Sequence, residues 1–223
     1  LDAMNCIDKK LIAKPIDGQL PDKREISLIY FGGLHLNRWK SLRDIAREVE
    51  ALRREGQNVK LDVYTAIDNQ MLYFSELNFD GVRFCGQVPP EEVSKILAGA
   101  DILLHIESFD EHTEEYVRLS MSTKIPECMA AGKPILCYAP RGIASEEYIK
   151  ETGSGLTANC QEEMKSALRL LVSDPLLRQQ CTMHGLNSVW YHTKEATLER
   201  MRISFIMETK DQAQRHIRKS REE

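Results

Sequence analysis

Apolar residues recur along this chain in two alternating spacings, and the alternation lays out a fold. Ile26-Ser27-Leu28-Ile29-Tyr30-Phe31 is a short apolar run stopped by Gly32-Gly33, the pattern of a buried strand. From Trp39 to Arg54 the apolar positions are Leu42, Ile45, Ala46, Val49 and Leu52, the spacing of one helix face. Val59 to Ala66 predicts a second strand, Asn69 to Leu77 a short helix, and Val82 to Val88 a third strand. Pro89-Pro90-Glu91-Glu92 opens a helix ending near Gly99, because proline loses no hydrogen bond there and acids complement the macrodipole. Asp101 to Ile106 is a fourth strand. Glu107 to Met121 follows without a strand pattern, and its acids Glu107, Asp110, Glu111, Glu114 and Glu115 read as a solvated loop.

Ser122 to Tyr138, STKIPECMAAGKPILCY, couples a helix start, a small-residue helix, a glycine stop and a buried strand. Pro126 lacks an amide proton and holds Ile125 away from the α region, so the helix begins between Thr123 and Pro126. Ser122 and Thr123 are capping residues, and Lys124 adds a cation. Hydroxyls, an ammonium and free amides at one helix start suit a phosphate. Gly132 ends the helix, and Ile135 to Tyr138 reads as a strand buried on both faces. A helix from about Ser145 to Thr152, a strand from Ser154 to Ala158 and a helix from Gln161 to Val172 come next. Asp174-Pro175 starts another helix, and a charged helix runs from Lys194 to the end.

Strands alternating with helices predict an α/β chain: a single doubly wound, Rossmann-like domain, its parallel sheet flanked by helices, plus a C-terminal helical extension. The expected boundaries are 1–25 for a linker from a preceding domain, 26–192 for the Rossmann-like domain and 193–223 for the charged helix. In the strand order 3-2-1-4-5-6 a ligand binds where the order reverses, between the loops after strands one and four. Those loops are Gly32-Gly33-Leu34-His35 and Glu107-Ser108-Phe109-Asp110, with the helix start at Thr123 close by.

Composition narrows the function. The 223 residues, 42% hydrophobic and 29% charged, can bury a substantial core. A net charge of -4 and a pI near 5.9 argue against a nucleic-acid partner. The six cysteines form no C-x-x-C pair, which predicts a reduced, cytoplasmic protein without a metal site, its thiols packed as small hydrophobes. The N-terminus has no signal-peptide layout and no initiating Met, as expected of a piece of a longer protein. Arg202 to Arg221 is basic, with apolar Ile203, Phe205, Ile206 and Met207. It reads as a closing helix whose partner is another domain, the alternative being peripheral membrane contact.

Gly32-Gly33 lets backbone approach a ligand, yet it is not the full G-x-G-x-x-G fingerprint, which disfavours a dinucleotide cofactor. Arg38 and Lys40 stand at a helix start, where the macrodipole disfavours cations. His105, inside an apolar strand, reads as a satisfied core histidine, and Ser145 as a helix cap. No Ser-His-Asp order, H-E-x-x-H or Walker motif is present.

The pattern K-x-x-E-x-M-A-A-G-K-P-I-L, from Lys124 to Leu136, resembles the C-terminal, donor-binding domain of family 4 glycosyltransferases of the GT-B fold. The resemblance runs from about Ile26 to Leu171 in order of elements. It implies that Glu127 contacts the ribose of a nucleotide sugar and that Arg38, with Lys40, holds its pyrophosphate. It implies that the backbone of Gly86-Gln87-Val88 contacts the base. The family usually carries a second Glu eight positions before Glu127, where this chain has Leu119; a branch with a Ser-x-Lys-x-x-Glu block also lacks it.

The implied function is retaining glycosyl transfer from a nucleotide-diphosphate sugar to a glycan or lipid-linked acceptor. No metal or resident cofactor is implied, and the acceptor domain lies outside this chain. Leu119 keeps a non-catalytic nucleotide-sugar-binding or assembly module as an alternative, beside a nucleotide-sugar epimerase. The expected donor-binding residues are Gly32, Gly33, Arg38, Lys40, Gly86, Val88, Ser122, Thr123, Lys124 and Glu127.

Overall fold

In the computed structural model, which describes residues 6–14 and 25–206, six parallel strands form one sheet. They are β1 (Ile26–Phe31), β2 (Val59–Tyr64), β3 (Val82–Gly86), β4 (Ile102–Ile106), β5 (Ile135–Tyr138) and β6 (Gly155–Ala158), in the order β3-β2-β1-β4-β5-β6. The order in which successive strands are added across the sheet reverses between β1 and β4, which pair in parallel as Leu28↔Ile102, Ile29↔Leu103 and Tyr30↔Leu104. This is the arrangement that places a crevice beyond the carboxyl ends of β1 and β4. β3 ends at Gly86, with φ +78, two residues short of the expected Val88, because a left-handed residue breaks the extended ladder.

Alternate side chains of the central strands feed two cores, one on each face of the sheet. On one face lie α1 (Arg38–Arg54) and α7 (Gln161–Ser173), burying Leu42, Ile45, Val49 and Leu52 of α1 with Met164, Leu168 and Leu171 of α7 against Leu28, Leu61 and Leu104. Each fully buried large aliphatic contributes about 1.5–3 kcal/mol. Arg169 ties the two helices by reaching Glu48 at 2.6 Å and Glu55 at 2.6 and 2.8 Å. The other face carries α3 (Pro90–Ala98), α5 (Lys124–Ala130), α6 (Ala144–Thr152) and α8 (Pro175–Val189), with Ile29, Leu103, Ile125, Met129, Ile135 and Ile149 in its core. Cys128, Cys137 and Cys181 are buried as small hydrophobes.

Helix ends follow local chemistry. Asp174 Oδ1 accepts from the amides of Leu176 and Leu177, both at 2.9 Å, and starts α8 with Pro175 in its first turn. Arg178 Nη1 donates to the carbonyls of Leu171 and Val172, satisfying the end of α7. α5 stops where Gly132 turns left-handed at φ +65. α2 (Ile67–Tyr73) and α4 (Glu111–Val117) are short, and α4 lies in the stretch that shows no strand pattern. Residues 6–13 pack on the second face, Ile7 donating to the His192 carbonyl and Ala13 to that of Ala130. Residues 194–206 are helical, with Ile203, Phe205 and Ile206 exposed; Met207 and the basic run beyond it lie outside the described residues. Among the described residues, no helix is long and apolar enough to cross a membrane.

Candidate functional site

The crevice at the reversal point contains a cavity of about 100 Å³ bordered by Gly33, His35, Arg38, His105, Glu107, Ser122, Lys124 and Glu127. Five of the ten expected donor-binding residues therefore meet there: Gly33, Arg38, Ser122, Lys124 and Glu127. Gly32 joins them from just outside, since a Cβ on it would lie 2.6 Å from Lys124 Nζ and 3.0 Å from the Tyr30 hydroxyl. Only glycine leaves room for that ammonium. The Tyr30 hydroxyl donates to the Gly33 carbonyl at 2.7 Å and braces the turn; burial pushes that hydroxyl far above its ordinary pKa.

The other four do not border the cavity. Thr123 is exposed and its side chain makes no capping bond; instead Ser122 Oγ accepts from the Lys124 amide at 3.4 Å. Thr123 has helical backbone angles (φ -62, ψ -16), and a cap needs the extended conformation to turn its oxygen back onto the helix. Lys40 pairs with Asp110 at 3.2 Å on the surface, a contact that lowers the Asp110 carboxyl below its ordinary value. Gly86 and Val88 lie beyond β2 from the crevice, Val88 bordering a separate trench with Lys60 and Asp62. Ser145 likewise caps nothing; its hydroxyl donates to the Ser120 carbonyl at 3.3 Å, and Ile143 occupies the cap position.

Arg38 does not stand free at the helix start. It holds Glu107 through two bonds, Nε to Oε2 at 2.7 Å and Nη2 to Oε1 at 3.1 Å, and its Nη1 meets His35 Nε2 at 3.1 Å. Glu107 is 5% exposed, so the solvated-loop expectation fails for this acid. The acid is drawn inward because β4 continues its period-two alternation past its end, placing residues 103, 105 and 107 on one face. Ser41 Oγ donates to the Glu107 carbonyl at 2.6 Å and Asn37 Nδ2 to Asp110 at 2.5 Å, stitching the two loops together. Leu36 and Asn37 hold positive φ, 56° and 59°, in that stitched turn. Neither pairing, Arg38 with Glu107 or Asn37 with Asp110, is legible in the chain, where the partners lie about 70 residues apart.

Lys124 is half-buried with its Nζ 5.6 Å over the Phe31 ring, and among the described residues it forms no ion pair. Burial, then the nearby Arg38, lowers its pKa below the ordinary 10.5. Glu127 is exposed as a whole, yet desolvation of its carboxyl, only partly offset by Lys124, raises it above the ordinary 4.5. His105 is 8% exposed and its Nε2 has no hydrogen-bond partner, so it is not the satisfied core histidine expected. Burial, with Arg38 and Lys124 nearby, drives its pKa down to about 3, which keeps the ring neutral. The cavity thus presents two cations, two acids and two imidazoles, of which the buried His105 is neutral.

The family described as Glycosyl transferases group 1 matches residues 25–174. The chain belongs to that family. Its fold is the Rossmann-like one of GT-B glycosyltransferases, shared with WaaG, a glycosyltransferase involved in lipopolysaccharide biosynthesis, at 17% identity over 87% of this chain and 54% of that one, TM-score 0.63. A trehalose-6-phosphate structure from E. coli bound with UDP-2-fluoro glucose matches at 16% identity over 89% and 50%, TM-score 0.63. Anabaena HepE in complex with UDP and glucose matches at 15% over 82% and 48%, TM-score 0.61. This family member spans about half the length of those structures. No curated protein sequence matches it significantly.

Proposed function

We propose that this chain is the C-terminal, donor-binding domain of a GT-B glycosyltransferase, and that its β1–β4 crevice holds the diphosphate of a nucleotide sugar. One observation carries the reading: Lys124, a half-buried ammonium without an ion-pair partner among the described residues, faces the same cavity as Gly33 and Arg38. A desolvated charge left unpaired in the protein calls for a counter-ion, and an anion at the crevice supplies it. Two structural neighbours hold UDP compounds, which supports a nucleoside diphosphate as that anion.

On this reading Arg38 and Lys124 neutralise the leaving diphosphate, and Glu127 accepts from the ribose hydroxyls. Transfer retains configuration, and catalysis rests on positioning and on charge compensation rather than on a nucleophile in this domain. The acceptor, a glycan or a lipid-linked sugar, sits opposite in a second domain. Calorimetric titration with UDP and GDP tests the assignment. Lys124→Met is expected to weaken the better ligand by roughly 10- to 100-fold, the worth of a charge-assisted contact. Equal affinity in wild type and variant would overturn it. Leu119, 85% exposed, offers no acid to the cavity and favours the non-catalytic module as second reading; donor hydrolysis by the longer parent protein decides between them.

A further inference from the structure

The donor reading leaves one buried polar atom unexplained. His105 Nε2 is a buried imidazole nitrogen at the crevice with no hydrogen-bond partner among the described residues, and it lies 3.9 Å from Glu107 Oε1. That distance is too long for a hydrogen bond. The two side chains are 10% and 6% exposed, and both border the same cavity of about 100 Å³. Native proteins rarely strand a buried polar atom without a reason such as a ligand or a bound water.

The chemistry of an occupant follows from the charges around it. A second anion at this spot meets the Glu107 carboxylate, and a cation meets Arg38 and Lys124. A neutral group that donates to a carboxylate and bonds a neutral imidazole satisfies both atoms at once, and a hydroxyl does this. An oxygen about 2.8 Å from each atom spans the 3.9 Å gap with its two bonds near a right angle. Glu107 need not release Arg38, because each carboxylate oxygen has a second lone pair. The cavity, of about 100 Å³, has room for a hydroxyl or hydroxymethyl group beside these two side chains.

We infer that His105 and Glu107 form a hydroxyl-recognition pair at the floor of the crevice, which takes one hydroxyl of the transferred sugar. The inference rests on the donor reading and extends it to the sugar itself. It makes His105 a specificity residue: the pair rewards a donor whose hydroxyl reaches the floor and leaves the buried Nε2 unpaired for one that does not. The rival source of the same chemistry is a resident water.

The test compares UDP and GDP with UDP-glucose and GDP-mannose by calorimetry on the 223-residue chain, in wild type, His105→Leu and His105→Gln. Leu removes the polar atom; Gln places an amide near the position of Nε2. Wild type is expected to bind a sugar conjugate more tightly than its parent diphosphate. His105→Leu should weaken that conjugate by roughly tenfold and leave the parent diphosphate unchanged, with His105→Gln restoring most of the loss. Thermal unfolding of each variant keeps a folding defect apart from a contact loss. A Leu variant that keeps full preference for the conjugate overturns the pair as a sugar contact and leaves water as its occupant. Equal weakening of conjugate and parent assigns His105 to the ribose or diphosphate and also overturns it. If wild type binds neither UDP nor GDP nor their conjugates, the donor reading itself fails, a result distinct from both.

Discussion

Replacing Gly32 with alanine separates binding from folding at this site. Gly32 is not among the glycines with positive φ, so alanine fits its backbone. The added Cβ lies 2.6 Å from Lys124 Nζ, 3.0 Å from the Tyr30 hydroxyl and 3.3 Å from Tyr30 Cζ. The lysine tip is the end of a flexible chain and swings away. The Tyr30 ring is 4% exposed and bonded to Gly33, so it yields by only a few tenths of an ångström. Such a mild overpacking costs about 1 kcal/mol and lowers Tm by about 2–4 °C. The displaced ammonium loses its aim at the crevice, which removes roughly 1.5–3 kcal/mol of nucleoside-diphosphate binding, or about 10- to 100-fold in Kd. Calorimetry with UDP or GDP reads the second effect and differential scanning the first. In the double variant Gly32→Ala/Lys124→Met no further affinity should be lost, because both changes act on one group. Unchanged affinity in Gly32→Ala, or full additivity in the double variant, refutes the idea that this glycine exists to seat Lys124.

Arg38→Met strands Glu107, whose side chain is 6% exposed, without its bidentate partner. It should destabilise the fold by roughly 3 kcal/mol and lower Tm by about 6–12 °C, so thermal scans must accompany any titration of this variant. Asp174→Ala removes the acceptor for two amides at the start of α8 and is expected to cost about 1 kcal/mol in chemical denaturation, without change in nucleotide affinity. Nucleotide binding should follow a pH window whose edges are set by two shifted groups. On the acid side it falls as pH drops through the raised Glu127 value, because a protonated carboxyl is a poorer acceptor for ribose. On the alkaline side it falls as pH rises through the lowered Lys124 value, before the ordinary 10.5. The same shifts act oppositely on the fold: ionised Glu127 weakens it once pH rises past 4.5, and neutral Lys124 relieves it once pH passes the lowered value. Glu127→Gln should remove the acid limb of the binding profile, and titrations across the pH range check both limbs.

The strands, the reversal point and the helices other than α4, which lies in the stretch read as a loop, were legible in the chain because burial on one or two faces imposes a period that sequence shows directly. Ile26 to Phe31 and Ile135 to Tyr138 match β1 and β5 in both ends. The cavity residues Gly33, Arg38, Ser122, Lys124 and Glu127 followed from topology and family pattern together. What the chain hid were pairings across long sequence separations. Arg38 with Glu107 and Asn37 with Asp110 depend on how two loops meet, and composition alone made the same acids look like a solvated run. The macrodipole favours an ionised carboxylate in a first helical turn, as at Glu127, but desolvation outweighs it and raises the group. Thr123 looked as good a cap as Ser122, and the backbone angles chose between them. His105 looked like core because its neighbours are apolar; only the position of Nε2 shows that nothing in the described protein bonds it.

Amide chemical-shift mapping of the 25.6 kDa chain during titration with UDP or GDP locates any bound nucleotide residue by residue. Saturable shifts are expected to concentrate at Gly32, Gly33, Arg38, Ser122, Lys124 and Glu127, with β6 at the far edge of the sheet unmoved. Saturable shifts centred elsewhere, or none at millimolar nucleotide, would contradict a nucleoside diphosphate in the β1–β4 crevice.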